Sequence, residues 1–317
     1  MGDCMTMSNG TAAVQLEGVI KSFGDHVAVN DLSFFVPKGV IYGFLGPNGA
    51  GKTTTLRMLI GIFYPDEGRI SVLGQSNPAA VKERIGYLPE DRGIYDKMKL
   101  GELVSYFGEL KGMPAALARS RADEVLVKFG LGEWRDAKCQ VLSKGMAQKA
   151  QILATILHEP ELVILDEPFA GLDPVNRDLM RDVILDLKRQ GKSVIFSTHV
   201  MEQAEQICDH VLLINQGRKV LDGSLSEIRS SGGRAIRLDY DGDGSCLAEL
   251  SGVSHINDAG KQAELFLHPD ADSQSVLAAL VTAGVHVRRF DLRELSLHEI
   301  FIRAVGGSDQ EGSEVRT

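Results

Sequence analysis

Gly46-Pro47-Asn48-Gly49-Ala50-Gly51-Lys52-Thr53 is the stretch on which the fold turns. It satisfies the phosphate-binding loop pattern G-x-x-x-x-G-K-S/T, and each fixed position has a physical reason. The glycines let the backbone wrap so that its N–H groups point at phosphate oxygens. Lys52 supplies a charge for the β- and γ-phosphates, and the Thr53 hydroxyl is placed to ligate magnesium. Residues 40–45, just before the loop, form a short apolar run that reads as a strand. Residues 53–60, opening with Thr53-Thr54, read as a helix whose positive end faces the bound anion.

Downstream, Leu162-Val163-Ile164-Leu165 is a wholly apolar strand running directly into Asp166-Glu167. In open parallel sheets, ligands bind beyond the carboxyl ends of the strands, where these acids would sit. Asp166 is expected to hold magnesium through its water shell, and Glu167 to orient or deprotonate the attacking water. An acidic pair ending a strand is by itself equally well explained as a solvated strand end; the phosphate loop upstream gives it meaning. Residues 193–197 form another buried strand, with an amphipathic helix over 176–190 between the two. Helical patterns cover 101–110, 114–129 and 144–158, and strand-like alternation covers 14–18 and 28–36. This order specifies an α/β domain with a largely parallel sheet, closing near Ser224.

Ser230-Ser231-Gly232-Gly233 reads as a linker. Beyond it, strand 236–240, short helix 245–250, strands 253–257 and 264–268, helix 273–283 and strand 285–292 follow in turn. That β-α-β-β-α-β order is the ferredoxin-like arrangement, closed here by a helix over 297–305. The expected division is a nucleotide-binding domain over 14–228 and a small α+β domain over 234–306, with 1–13 and 307–317 as flexible arms.

The 317 residues are 44% hydrophobic and 24% charged, the proportions of an ordinary globular protein. Lys and Arg total 34 against 43 Asp and Glu, a formal net charge of −9, which argues against a general nucleic-acid binder. Cys4, Cys139, Cys208 and Cys246 form no C-x-x-C pair and read as free thiols in a reducing compartment. No stretch reaches the ~18 apolar residues of a spanning helix, and no secretory leader is recognisable. A cytosolic chain is expected, which must borrow any membrane span from a partner. Met1-Gly2-Asp3-Cys4 fits a loose acylation pattern and Asn9-Gly10-Thr11 a glycosylation sequon, and neither is given weight.

Leu142-Ser143-Lys144-Gly145-Met146 resembles the L-S-G-G-Q signature of ABC-type ATPases. Further matches follow in order: Gly171-Leu172-Asp173 resembles the D-loop, and Ser197-Thr198-His199 the segment carrying the switch histidine. Phe23 stands where that family carries an adenine-stacking aromatic, although a core phenylalanine beside Gly24 explains it as well. The resemblance spans about residues 14–224. It implies a head-to-tail dimer sandwiching two ATP molecules, each between one subunit's phosphate loop and the other's signature. Ser143 and Gly145 would then touch the γ-phosphate in trans, flanked by Lys144 and Met146. His199 would hold the γ-phosphate and attacking water in cis, and Asp173 would couple the two sites.

The sequence departs from the family pattern at Lys144 and Met146, where glycine and glutamine are usual, and at Glu90, which stands for a glutamine. A cation at Lys144 is expected to favour closure over the polyphosphate. Glu90 can still accept from metal-bound water, but it adds negative charge near the triphosphate and so is expected to alter the magnesium dependence. A solvent-facing, inert Glu90 is the alternative. The pairing of Tyr87-Leu88-Pro89-Glu90-Asp91-Arg92-Gly93 with Leu142-Ser143-Lys144-Gly145-Met146 resembles NatA-type sodium and multidrug export subunits, which carry a small C-terminal domain. That domain is expected to serve as a scaffold or a regulator.

These readings imply an ATPase using ATP and magnesium, peripheral on the cytoplasmic face of the membrane. It would power export through separate integral-membrane permease subunits, as a homodimer or as a heterodimer with a sister ATPase. The alternative is a soluble ABC ATPase acting on ribosomes or nucleic acid. A single ATPase unit, no heptad run and the acidic balance count against it.

Overall fold

The computed structural model describes residues 12–90, 93, 95–242 and 244–311, with side chains described as far as residue 305. The acylation and sequon patterns, together with Asp91 and Arg92, lie outside the described residues. The chain divides into two compact units, Met1–Gly223 and Ser224–Thr317.

In the first unit, β1 (Ala12–Phe23) and β2 (His26–Pro37) form a hairpin, and β3 (Ile41–Leu45) leads through the phosphate loop into α1 (Lys52–Leu59). Strands β4 (Glu67–Val72) and β5 (Ile85–Leu88) come next, followed by α2 (Leu100–Leu110), α3 (Ala115–Lys128) and α4 (Lys144–Ile156). The unit continues through β6 (Leu162–Leu165), α5 (Pro174–Arg189), β7 (Ser193–Thr198), α6 (Met201–Ile207), β8 (His210–Asn215) and β9 (Arg218–Ser224).

A six-stranded sheet has the order β5-β6-β7-β3-β8-β9, and its first five strands are parallel. Every residue of β3, β6 and β7 is buried, as expected of parallel strands covered on both faces. Because β5, β6, β7 and β3 are consecutive neighbours, their carboxyl ends bring Glu90, Asp166-Glu167, Ser197–His199 and the phosphate loop to one edge of the sheet.

A separate antiparallel sheet, β2-β1-β4, was not distinguished in the sequence. Its residues Leu16, Leu32, Phe34 and Ile70 share one core with Leu56 and Leu59 of α1 and with Ile164 and Ile195 of the parallel sheet. Residues 12 and 13 are not a flexible arm: Ala12 pairs with Pro37 and Ala13 is fully buried. Helices α2, α3 and α4 bury a second core around Leu103, Leu126 and Leu153.

The second unit opens with α7 (Leu225–Ser231), then β10 (Arg234–Asp241), β11 (Val253–Asp258), β12 (Gln262–Leu267), α8 (Ser273–Thr282), β13 (His286–Glu294) and α9 (Leu297–Glu311). Ser230 and Ser231, read as linker, belong to α7, which a Ser224/Glu227 capping box starts. Gly232 ends it against Ile300 of α9, whose Cδ1 would lie 2.4 Å from any added Cβ. The sheet order β11-β12-β10-β13, antiparallel throughout, is the ferredoxin-like order expected. Its first crossover is a 3-10 segment, Gly244–Glu249, too short for a regular helix.

An ion-pair clamp fixes the start of α9. Arg293 donates two hydrogen bonds to Glu299, at 2.7 and 2.6 Å, and one to Glu264 at 3.0 Å. The N–H and Oγ of Ser296 also donate to Glu299, at 2.8 and 2.7 Å. The Arg293 bonds first, with help from Ser296, pull the Glu299 carboxyl from 4.5 down to about 2. A depressed carboxyl stabilises above its unfolded pKa and loses that contribution as pH falls through the folded one. Glu299→Gln is therefore expected to cost this unit roughly 1–3 kcal/mol at pH 7, after discounting for partial exposure. Thermal melting should show that cost shrinking as pH falls from 4.5 toward 2.

Candidate active site

Two glycines shape the loop. Gly46 has φ 153° and Gly51 φ 98°; an added Cβ would lie 2.2 Å from the Ile214 carbonyl oxygen and 2.4 Å from that of Ala28. Gly51 is also the N-cap of α1 and offers no capping side chain, so the first helical N–H groups remain for a ligand. Lys52 is buried and folds back over the loop. Its Nζ donates to the carbonyls of Gly46 at 2.7 Å and Pro47 at 3.2 Å, and lies 3.6 Å from Glu167 Oε1. Burial of that ammonium is tolerated because it is paired.

Asp166 is 1% exposed. Its Oδ1 accepts from Ser197 Oγ at 2.6 Å and Thr53 Oγ1 at 3.2 Å, while Oδ2 is buried without a hydrogen-bond partner. A buried carboxylate oxygen with no partner, beside a threonine hydroxyl, fits a divalent cation. Among the described residues no group of three or more His, Cys, Asp or Glu could cage an ion alone. An ion here would complete its shell with phosphate oxygens and water, the usual manner for magnesium.

Glu167 stands next in the chain at φ 48°, the left-handed region that non-glycine residues seldom occupy. Its N–H donates to Ser197 Oγ at 2.8 Å, and its carboxylate lies between Lys52 and His199, whose Nδ1 is 3.1 and 3.2 Å from the two oxygens. His199 is about half exposed, so it is not a packed strand-end histidine.

Of these groups, Lys52, Thr53 and Glu167 line a cavity of about 410 Å³, together with Phe23, His26, Ala28, Asn48, Gly49, Ala50, Gly51, Thr54 and Glu90. Phe23 is 44% exposed, so it is not a core residue; its ring meets Phe63 edge-on at 5.2 Å and carries the Lys21 ammonium 5.5 Å away. Glu90 is exposed at the cavity wall. A larger cavity, about 620 Å³, lies beside α2 and α3, but Arg135, Asp123, Lys99 and Asp136 there pair with one another. The smaller cavity is walled by the phosphate loop and by Glu167, the residue next to the buried Asp166, which makes it the candidate site.

Ser143, Lys144, Gly145, Met146 and Asp173 do not line this cavity. They gather elsewhere in the unit. Ser143 caps α4 by accepting from Met146 N at 3.3 Å. An ideal Cβ on Gly171 would lie 2.9 Å from Lys144 Nζ, and one on Gly145 2.5 Å from Asn176 Nδ2. Asn176 donates from N and Nδ2 to Asp173 at 2.9 and 2.7 Å, holding that carboxyl below its usual pKa. The signature-like and D-loop-like segments thus pack as one block within the chain.

His26 and Ser197 are site residues without a motif of their own in the sequence. The signal for Ser197 was its place just before Thr198-His199, on the strand beside the one ending in Asp166. Nothing in the sequence marks His26 as cavity-lining.

Comparison with known proteins agrees with this geometry. The protein-family model "ABC transporter" matches residues 29–170, and the model "ATP-binding protein DrrA1-3-like, C-terminal domain" matches residues 223–305. The chain is 40% identical to the uncharacterized ABC transporter ATP-binding protein YhaQ of Bacillus subtilis, over 92% of this chain and 98% of that protein. It is 35% identical to the Nod factor export ATP-binding protein I of Bradyrhizobium diazoefficiens, over 95% of this chain and 98% of that one. A solved structure described as the ATP binding subunit of an ABC transporter superposes with a TM-score of 0.64 at 30% identity, over 69% of this chain and 92% of that one. With a phosphate loop, a buried acid pair and relatives matched along nearly their whole length, the chain belongs to the ATP-binding proteins of ABC transporters.

Proposed function

We propose that this chain is the ATP-hydrolysing subunit of an exporter, working on the cytoplasmic face of the membrane through a separate integral-membrane permease. The observation that carries the proposal is the convergence of Lys52, Thr53, Asp166, Glu167 and His199 at one sheet edge, with Asp166 Oδ2 left over for a metal. No described helix is long and apolar enough to cross a membrane, which suits a separate permease supplying the span. The similarity to a Nod factor export protein and the DrrA-like C-terminal domain support export. A place in the NatA-type export subgroup rests on the runs of sequence at residues 87–93 and 142–146.

Phe23 would stack on the adenine. Backbone N–H groups of residues 46–54 would bind the β- and γ-phosphates, and Lys52 would exchange the Gly46 and Pro47 carbonyls for phosphate oxygens. Thr53 and Asp166, with Glu90 reaching in through water, would hold magnesium, which neutralises charge on the phosphates. Glu167 would take a proton from the attacking water, and His199 would steady both that water and the γ-phosphate.

A single chain brings no signature residue to its own phosphate-loop cavity, which suits a second copy supplying Ser143, Lys144, Gly145 and Met146 in trans, with Asp173 linking the two sites. Sedimentation of the Glu167→Gln chain with ATP and magnesium should reveal two-copy complexes. Monomers at saturating ATP would contradict the homodimer and favour a sister ATPase as partner.

A further inference from the structure

We infer that Ser197 is a positioning residue of the hydrolytic site: its hydroxyl fixes which Asp166 oxygen faces the metal and holds Glu167 in its left-handed turn. The inference rests on the proposed metal role of Asp166 and the water-directing role of Glu167.

The geometry follows from where the ladder between β6 and β7 stops. Its last pair is Leu165 with Phe196. One residue on, the N–H of Asp166 turns to the Leu88 carbonyl of β5 at 2.8 Å. The N–H of Glu167 finds no further ladder acceptor, and Ser197 Oγ takes it at 2.8 Å. The same oxygen gives its proton to Asp166 Oδ1 at 2.6 Å.

A hydroxyl has one proton to donate, so this one is committed. Ser197 is fully buried, so bulk water does not reach the hydroxyl as a substitute. With Oδ1 satisfied by Ser197 and Thr53, the carboxylate torsion is set and Oδ2 is the oxygen left over. The bond to the Glu167 N–H meanwhile opposes relaxation of φ 48°, the conformation that carries the carboxylate to Lys52 and His199. Partners that orient a metal-binding carboxylate typically matter by about 10- to 100-fold in metal affinity or activity.

The test uses the full chain and the variants Ser197→Ala, Ser197→Thr and Asp166→Asn. Mn²⁺ serves as the metal probe, and its affinity in the presence of ADP is read by electron paramagnetic resonance. Alongside it are measured magnesium-dependent turnover, metal-free ATP binding and thermal melting. Ser197→Ala is expected to bind Mn²⁺ about 10-fold more weakly and to turn over about 10- to 100-fold more slowly. Its metal-free ATP binding should stay at the parent level, which a general loss of structure would not permit. Ser197→Thr, which keeps the hydroxyl, should recover most of both losses; if it does not fold, the alanine chain decides alone. A folded Ser197→Ala chain with parental Mn²⁺ affinity and turnover overturns the inference. If Asp166→Asn also binds Mn²⁺ as the parent does, the metal reading of Asp166 falls and takes this inference with it.

Discussion

Replacing Glu167 by glutamine is expected to lower ATP turnover by about 10²- to 10⁴-fold while leaving ATP binding intact. The amide keeps the shape of the side chain, the left-handed backbone and the bond from the Glu167 N–H to Ser197. It loses the capacity to take a proton, together with the negative charge that faces Lys52 and His199. Asp166, the neighbouring acid, has one oxygen committed to Ser197 and Thr53 and the other buried where the metal is proposed to sit, so it is not expected to take over that task. ATP affinity should hold, because the phosphate loop and Lys52 are untouched. The glutamine also leaves Lys52 without the carboxylate 3.6 Å away, freeing its charge for phosphate. Equilibrium binding and single-turnover hydrolysis on the same preparation separate the two effects. Parental turnover would remove Glu167 from the chemistry, and joint loss of binding and turnover would make its role structural.

Gly51→Ala is expected to weaken nucleotide binding by about 30-fold or more and to lower the melting temperature of the first unit. Two penalties combine there: a Cβ 2.4 Å from the Ala28 carbonyl oxygen and a backbone at φ 98°. Together they cost about 2–5 kcal/mol. The only relief is to move the loop, and Lys52 is the next residue. Gly49→Ala makes the control. Gly49 has a similar φ of 80° but no atom within 4 Å of an added Cβ, so it carries the conformational cost alone, roughly 1–2 kcal/mol. Equal losses in the two variants would show that close packing at Gly51 is not what shapes the loop.

The parts of the fold that sequence revealed are those where one physical demand dominates. Strands β3, β6 and β7 are buried on both faces and therefore read as unbroken apolar runs. The phosphate loop was legible because glycine is the only residue that tolerates contacts such as that of Gly46 with the Ile214 carbonyl. Strand β4 was not legible, because it opens with Glu67-Gly68-Arg69, which locally looks like a turn. Strand β5 has only four residues, with Gly86 among them. Helix α7 hid behind serines, whose hydroxyls bond back to the Glu227 carbonyl and so suit a short capped helix as well as a linker.

At the site, residue types were legible and their couplings were not. Sequence placed Asp166 and Glu167 at a strand end, but the φ of 48° at Glu167 depends on a hydroxyl from a different strand. The approach of Lys144 to Gly171 likewise joins residues that only the folded chain brings together. Phe23 could not be assigned from its neighbours alone, because exposure depends on how Phe63 and Lys21 surround it.

If the chain works as proposed, its ATP hydrolysis drives a separate membrane-spanning partner. Affinity capture of the Glu167→Gln chain from native membranes, with and without ATP and magnesium, tests it most directly. A multi-span permease is expected to be recovered in fixed proportion to the captured chain. Recovery of soluble complexes alone, ribosomes among them, would leave the ATPase assignment standing and contradict the role in transport.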